Sequence, residues 1–115
     1  HADYMYGEIP CVRCLTKEEI EGAYEKNTGL LIAECFKEKD FMAVPAVLCK
    51  NHGPFSWGSD ADNAVYNAVV LEQVAKMAFI SFSVNPNTTM NSLLIEKHFS
   101  RKHGPNAYYG QKKKK

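Results

Sequence analysis

The chain has 115 residues, 45% of them hydrophobic and 23% charged, a balance that allows one globular domain with a modest core. Its net charge of +1 rests on Lys112, Lys113, Lys114 and Lys115; residues 1–111 carry −3. An acidic body without a basic groove excludes nucleic-acid binding as its main work. No apolar run reaches the roughly 18 residues needed to cross a bilayer, so no membrane partner is expected.

The chain opens at His1 rather than Met and has no basic-then-apolar secretory pattern, and it is read as a piece of a longer cytoplasmic protein. Residues 1–8 read as irregular chain, with one strand near 9–14. Asp3 stands beside Tyr4 and Tyr6, where a carboxylate among aromatics can exchange protons or can simply be exposed. Cys11-Val12-Arg13-Cys14 has C-x-x-C spacing, but no second pair completes a zinc set. Pro10 and the β-preferring neighbours fit a strand end better than a redox helix. Cys11, Cys14, Cys35 and Cys49 are therefore read as thiols of a reducing cytosol.

Thr16-Lys17-Glu18-Glu19 is a capping box, so a helix should begin at Lys17. Asn27-Thr28-Gly29 should interrupt it, and Leu30, Leu31, Ala33, Cys35 and Phe36 continue helical spacing to about Lys39. Ala46–Lys50 reads as a buried strand. The loop Asn51-His52-Gly53-Pro54 follows, and Phe55 and Trp57 begin another strand. From Ala61 to Phe79 small and apolar residues keep helical spacing, which predicts a core-facing helix capped by Ser59 or Asp60. Asn85-Pro86-Asn87 is a loop. Thr88 or Thr89 should cap a last helix, which Gly104-Pro105 stops near Lys102. Residues 105–115 read as an extended tail, with 112–115 disordered. The order of elements implies an α/β or α+β fold, and two or three visible strands are few for an independent sheet.

Three places carry candidate chemistry. His52 follows a strand end, where rigid sheets present active groups, and imidazole is a common metal ligand; the alternative is a loop histidine bonded to backbone. Leu94, His98 and Arg101 share a helix face by i+4 and i+3 spacing. That face could meet an anionic substrate, or its cations could answer the helix dipole. Tyr108-Tyr109 could anchor the tail or donate a proton.

The block Asn51-His52-Gly53-Pro54-Phe55-Ser56-Trp57-Gly58 followed by Ala64-Val65-Tyr66-Asn67-Ala68-Val69-Val70-Leu71-Glu72 resembles the L-ribulose-5-phosphate 4-epimerases of the class II aldolase group. His1-Ala2-Asp3-Tyr4 adds to the resemblance. So do Lys97-His98-Phe99-Ser100-Arg101-Lys102-His103-Gly104 and Ala107-Tyr108-Tyr109-Gly110-Gln111. These blocks span residues 1–111 apart from the stretch 80–92, and the tyrosine-containing end points to the epimerase branch.

The resemblance implies a three-layer α/β/α fold with a central mixed, largely antiparallel sheet, of which this chain is the C-terminal half. It implies a cyclic homotetramer with sites between subunits, and a zinc-type divalent ion held by three histidines. His52 matches the third. The other two, in a His-x-His pair, and the phosphate-binding segments precede this stretch in the family. Implied chemistry is epimerisation of a phosphorylated pentulose, L-ribulose 5-phosphate, to D-xylulose 5-phosphate. The C3–C4 bond breaks, the aldehyde turns over, and the bond re-forms on its other face, with metal-stabilised charge. Asp3 and Tyr109 match the two acid/base groups, Tyr109 reaching from an adjacent subunit. Glu25, His98 and Arg101 match further substrate-region positions. The chain alone should be inactive. An aldolase that releases its aldehyde, or a non-catalytic piece retaining oligomer contacts, are the other readings.

Overall fold

A computed structural model describes residues 2–111; His1 and the four terminal lysines lie outside the described residues. The first strand, β1 (Cys11–Val12), is shorter than the expected 9–14. Thr16 then closes the capping box on α1 (Lys17–Glu21): the Glu19 amide donates to its Oγ1 at 3.3 Å, and its own amide donates to Glu19 Oε2 at 2.7 Å. Arg13 grips the same carboxylate at 2.8 and 2.9 Å. Hydrogen bonds from Arg13 and from the Thr16 amide bring the Glu19 carboxyl down to about 2. Thr16→Ala should cost about 1 kcal/mol, read as a lower urea midpoint at unchanged slope.

The helix breaks at Gly22, not at 27–29. The Gly22 amide donates to the Glu18 carbonyl at 3.0 Å, and a Cβ there would lie 2.9 Å from that oxygen. α2 (Tyr24–Cys35) runs straight through Asn27-Thr28-Gly29. Their polar groups find local carbonyls instead of ending the helix: Asn27 Nδ2 donates to Glu19 O and Thr28 Oγ1 to Tyr24 O, each at 2.9 Å.

β2 (Ala46–Cys49) is the central strand. β1 pairs with it in parallel and β3 (Gly53–Ser56) antiparallel, so the sheet is mixed, in the order β1-β2-β3. Alternation along β2 decides what covers each face. Val47 and Cys49 pack with Val12 and with Leu31 of α2, whereas Ala46 packs with Met5 and Leu71. Asn51 takes φ 64° and Gly53 φ 137°, which closes the tight turn and starts β3 two residues before Phe55. Pro54 fits because β3 is an edge strand, where a missing N–H is tolerated.

Asp60 caps α3 (Ala61–Val84) by accepting from the Asn63 amide at 2.8 Å. The expected core-facing helix is only partly so. Asn67 and Leu71 are its buried residues, while Val65, Val69, Phe79, Ile80, Phe82 and Val84 are all more than half exposed. Lengths explain this: 24 helical residues span about 36 Å, whereas four-residue strands span about 13 Å. The outer half of α3 therefore overshoots the sheet. Taken whole, α3 is also long and apolar enough, by length and composition alone, to cross a membrane, although Asp62, Glu72 and Lys76 interrupt its apolar run.

α4 (Ser92–His103) is capped by Asn91 rather than by Thr88 or Thr89, its Oδ1 accepting from the Leu93 amide at 2.8 Å. Gly104 ends it; a Cβ there would meet Ser100 O at 2.6 Å. Residues 105–111 are not an extended tail. The Tyr108 and Tyr109 amides both donate to Arg101 O, at 2.9 and 3.0 Å, and Gln111 Nε2 donates to Lys102 O at 2.9 Å. Residues 105–111 fold back on α4.

Candidate active site

Met5 anchors the N-terminal segment in the core beside Ala46 and Leu71, and the Tyr6 amide donates to Ala43 O at 2.9 Å. This holds Asp3 at the end of the sheet where β2 begins. α4 docks on the same segment through Tyr6 Oη, which donates to Glu96 at 2.6 Å, and Phe99, whose ring lies 4.8 Å from that of Tyr6. The docking brings the His98 and Arg101 face onto Asp3. His98 Nδ1 lies 3.0 Å from Asp3 Oδ1, and Arg101 Nη2 lies 3.2 Å from both carboxylate oxygens. His103 Nε2 donates to the Asp3 carbonyl at 2.7 Å. The i+3 spacing predicted the shared face; its partner turns out to be a carboxylate of this chain.

Asp3 is buried, its side chain 7% exposed. Burial pushes its carboxyl upward, but hydrogen bonds from His98 and Arg101, with their charges, outweigh this and hold it below the usual range. It is therefore not the exposed acid that the sequence left open. The Arg101 guanidinium also stacks on Tyr109, 4.2 Å from the ring centroid, and its Nε is buried without a partner among the described residues. Asp3 and Tyr109 are thus linked through one guanidinium within a single chain.

Three neighbours were missed: Tyr4, Tyr66 and Lys102. Lys102 Nζ sits 3.6 Å from the Tyr4 ring centroid, and the Tyr4 and Tyr66 rings meet edge to face at 5.6 Å. Hydrogen bonding with Tyr66, then with Lys102, draws the Tyr4 phenol below its ordinary range, and the bond to Tyr4 raises that of Tyr66. The sequence signals were Tyr4 next to Asp3 and Lys102 following Arg101, which reads locally as a basic helix end.

His52 lies elsewhere. It is exposed in the β2–β3 turn, stacked on Phe55 with centroids 5.1 Å apart, and its amide donates to Cys49 O at 3.0 Å. It borders a cavity of about 370 Å³ with Arg13, Cys14, Tyr24, Thr28 and Lys50. Glu25 is exposed on α2 between Tyr24 and Thr28, at this same end. Cys14 Sγ accepts from Asn51 Nδ2 at 3.4 Å, and the four cysteines are free thiols. The structure thus separates the expected site residues into two groups. Asp3, His98, Arg101 and Tyr109 gather where β2 begins; His52 and Glu25 lie beyond its end, with the four-residue strand, about 13 Å long, between them.

Residues 1–79 match the family model of the class II aldolase and adducin N-terminal domain. The chain belongs to that family. The match covers Asp3, Glu25 and His52 and ends inside α3, so His98, Arg101 and Tyr109 lie beyond it. Class II aldolases typically use a divalent metal. The residues here do not form a complete set for one: among the described residues no group of three or more His, Cys, Asp or Glu side chains could hold an ion. His52 offers a single imidazole, and a catalytic zinc needs about three protein ligands.

Proposed function

We propose that this chain forms part of a sugar-phosphate epimerase of the class II aldolase family, acting between L-ribulose 5-phosphate and D-xylulose 5-phosphate in the cytoplasm. The observation that carries the reading is the division of the expected site between the two ends of β2. A carboxylate, an imidazole, a guanidinium and a phenol gather at one end, linked through contacts of 3.0–4.2 Å. His52 and Glu25 stand at the other. Copies arranged head to tail, as in a cyclic tetramer, would bring the first end of one chain to the second end of the next.

The chemistry suits the acid/base end. Inverting a carbon that bears no acidic hydrogen cannot proceed by simple deprotonation, and the aldolase route breaks and remakes a C–C bond instead. The hydroxyl proton of that carbon must leave and return from opposite faces. Asp3 with its partners offers one exchanging station and Tyr109, half exposed, the other. Arg101 adds positive charge beside both, suited to an anionic sugar. The ion that would bind His52 needs ligands these residues do not supply, so no step is assigned to it. An aldolase that releases its aldehyde uses the same stations.

The deciding experiment takes the protein as isolated from cells, measures its intact mass under denaturing conditions, and follows xylulose phosphate and free aldehyde formed from L-ribulose 5-phosphate. A species of 12.9 kDa should show no turnover. Its zinc affinity should fall far below the 10–16 kcal/mol or so of a complete structural set. A heavier species should turn over with zinc. Free aldehyde as the main product would move the assignment to an aldolase. Neither product from a zinc-loaded heavier species would favour a non-catalytic role that retains oligomer contacts.

A further inference from the structure

Two of the four thiols line the cavity beside His52. Cys14 and Cys49 share its walls with Arg13, Thr28, Lys50 and His52, around a volume of about 370 Å³. Small-molecule sites run from roughly 300 to 1,000 Å³. Strand pairing explains why these sulfurs share a wall. Val12 pairs with Cys49 in parallel, and the Lys50 amide extends the ladder by donating to Val12 O at 3.4 Å. Cys14 follows two residues after Val12, on the same side of the pleat, where Val12 and Cys49 pack against Leu31 of α2. The Cys14 side chain is exposed, and its sulfur accepts from Asn51 Nδ2 at 3.4 Å. Cys49 is 7% exposed, and its sulfur makes no hydrogen bond among the described residues. Burial pushes its thiol up, so the sulfur keeps its hydrogen. The other two thiols are set apart. Cys11 falls on the opposite side of the pleat and donates to Val12 O at 3.8 Å. Cys35 packs half-buried against the core and accepts from Lys39 Nζ at 3.9 Å. No carboxylate lines the cavity among the described residues. Arg13 spends its charge on Glu19, which leaves the exposed Lys50 ammonium as the cation of this wall.

We propose that Cys14 is a redox-modification site for small acidic disulfides such as oxidised glutathione, and that its mixed disulfide reversibly blocks the His52 end of the sheet. The Cys14 sulfur gives its proton to solvent and attacks one sulfur of the small disulfide. That S–S bond breaks as the new one forms, and the other half leaves as a thiolate that takes up a proton. Cys14 is oxidised and the leaving half is reduced, so no further oxidant enters. The adduct stays on Cys14. Strand spacings of about 4.8 Å across and 3.3 Å along put Cys14 about 8 Å from Cys49. A disulfide spans no more than about 7 Å between Cα atoms, so Cys49 does not displace the bound half. Its S–H instead offers a weak donor to the group that fills the cavity. Lys50 favours carboxylates on that group. Filling the cavity shields His52, which borders it.

Peptide mapping by mass, after brief treatment of the full chain with oxidised glutathione, tests the site. One glutathione should be found, on Cys14, and a thiol reductant should remove it. Cys14→Ser, a change at an exposed position, should abolish this rapid uptake. Oxidised glutathione should outpace the cationic disulfide cystamine at Cys14 by about tenfold more than it does on the chain unfolded in urea, and salt should erase the advantage. In the adduct, carbethoxylation of His52 by diethyl pyrocarbonate should slow severalfold and recover on reduction. Several results overturn the proposal. They are first modification at Cys11 or Cys35, a Cys14–Cys49 disulfide in place of the adduct, or a rate advantage no larger than that of the unfolded chain. His52 reacting equally fast with and without the adduct overturns it too. Every readout is a mass or a rate on this chain itself, so the epimerase reading can fail while the thiol site stands, or the reverse.

Discussion

Arg101→Ala should lower the stability of the chain by about 3 kcal/mol near neutral pH, and the loss should shrink in acid. The side chain contacts both oxygens of Asp3 at 3.2 Å, and the Asp3 carboxylate is almost fully buried. Removing one partner of a buried pair typically costs about 3–5 kcal/mol, because the remaining charge is left uncompensated. The lower end applies here, since the Arg101 side chain is 24% exposed and His98 still donates to the carboxylate. The contact with the Tyr109 ring is lost as well, whereas the Tyr108 and Tyr109 amides keep their bonds to the residue 101 carbonyl.

The sign follows from linkage. The Asp3 carboxyl titrates lower in the folded chain than its ordinary value, so its contribution is fully present above the unfolded pKa of about 3.9. It is lost as pH falls through the folded value. Arg101→Ala removes part of what lowers that value. Unfolding curves in urea at pH 7 and pH 3 should therefore differ between the two proteins mainly at pH 7. A difference of equal size at both pH values would mean that Arg101 acts through the packing of its stem and not through charge.

The sequence shows the two faces of this arrangement but not their meeting. His98 and Arg101 fall on one side of a helix by spacing alone, because three residues make nearly one turn. Their partner lies 95 and 98 residues away in the chain. No local pattern records such a contact, and it arises from the docking of Tyr6 on Glu96 and Phe99. The capping box at Thr16 was legible because the donors and acceptors sit three residues apart. The helix break was misplaced because Asn27 and Thr28 look like turn formers until their side chains are seen to bond Glu19 and Tyr24. The folding back of residues 105–111 was invisible for another reason. Its ties to Arg101 are backbone amides, which every non-proline residue carries. The resemblance to class II aldolases, by contrast, was readable in blocks such as Asn51–Gly58, whose glycines and proline shape the turn that holds His52.

Leu71→Ala should cost about 2–5 kcal/mol, while Phe79→Ala, two turns farther along α3, should change stability by no more than about 0.5 kcal/mol. Leu71 is 5% exposed and packs with Met5 and Ala46, so its truncation opens a hole where α3, the central strand and the Asp3 segment meet. Phe79 is 76% exposed and lies on the half of α3 that overshoots the sheet. There alanine removes little contact and improves helix propensity by a few tenths of a kcal/mol, about enough to offset what is lost. The two residues look alike in the sequence, since both continue one apolar pattern at helical spacing. The structure separates them by how far the sheet extends beneath the helix. Urea curves for the two variants, taken at two protein concentrations, check the distinction. A cost above about 2 kcal/mol for Phe79→Ala would mean that the outer half of α3 is covered in solution, as its periodicity alone implies. A midpoint that rises with protein concentration would identify that cover as another copy of the chain, because association that favours the folded state stabilises it by mass action.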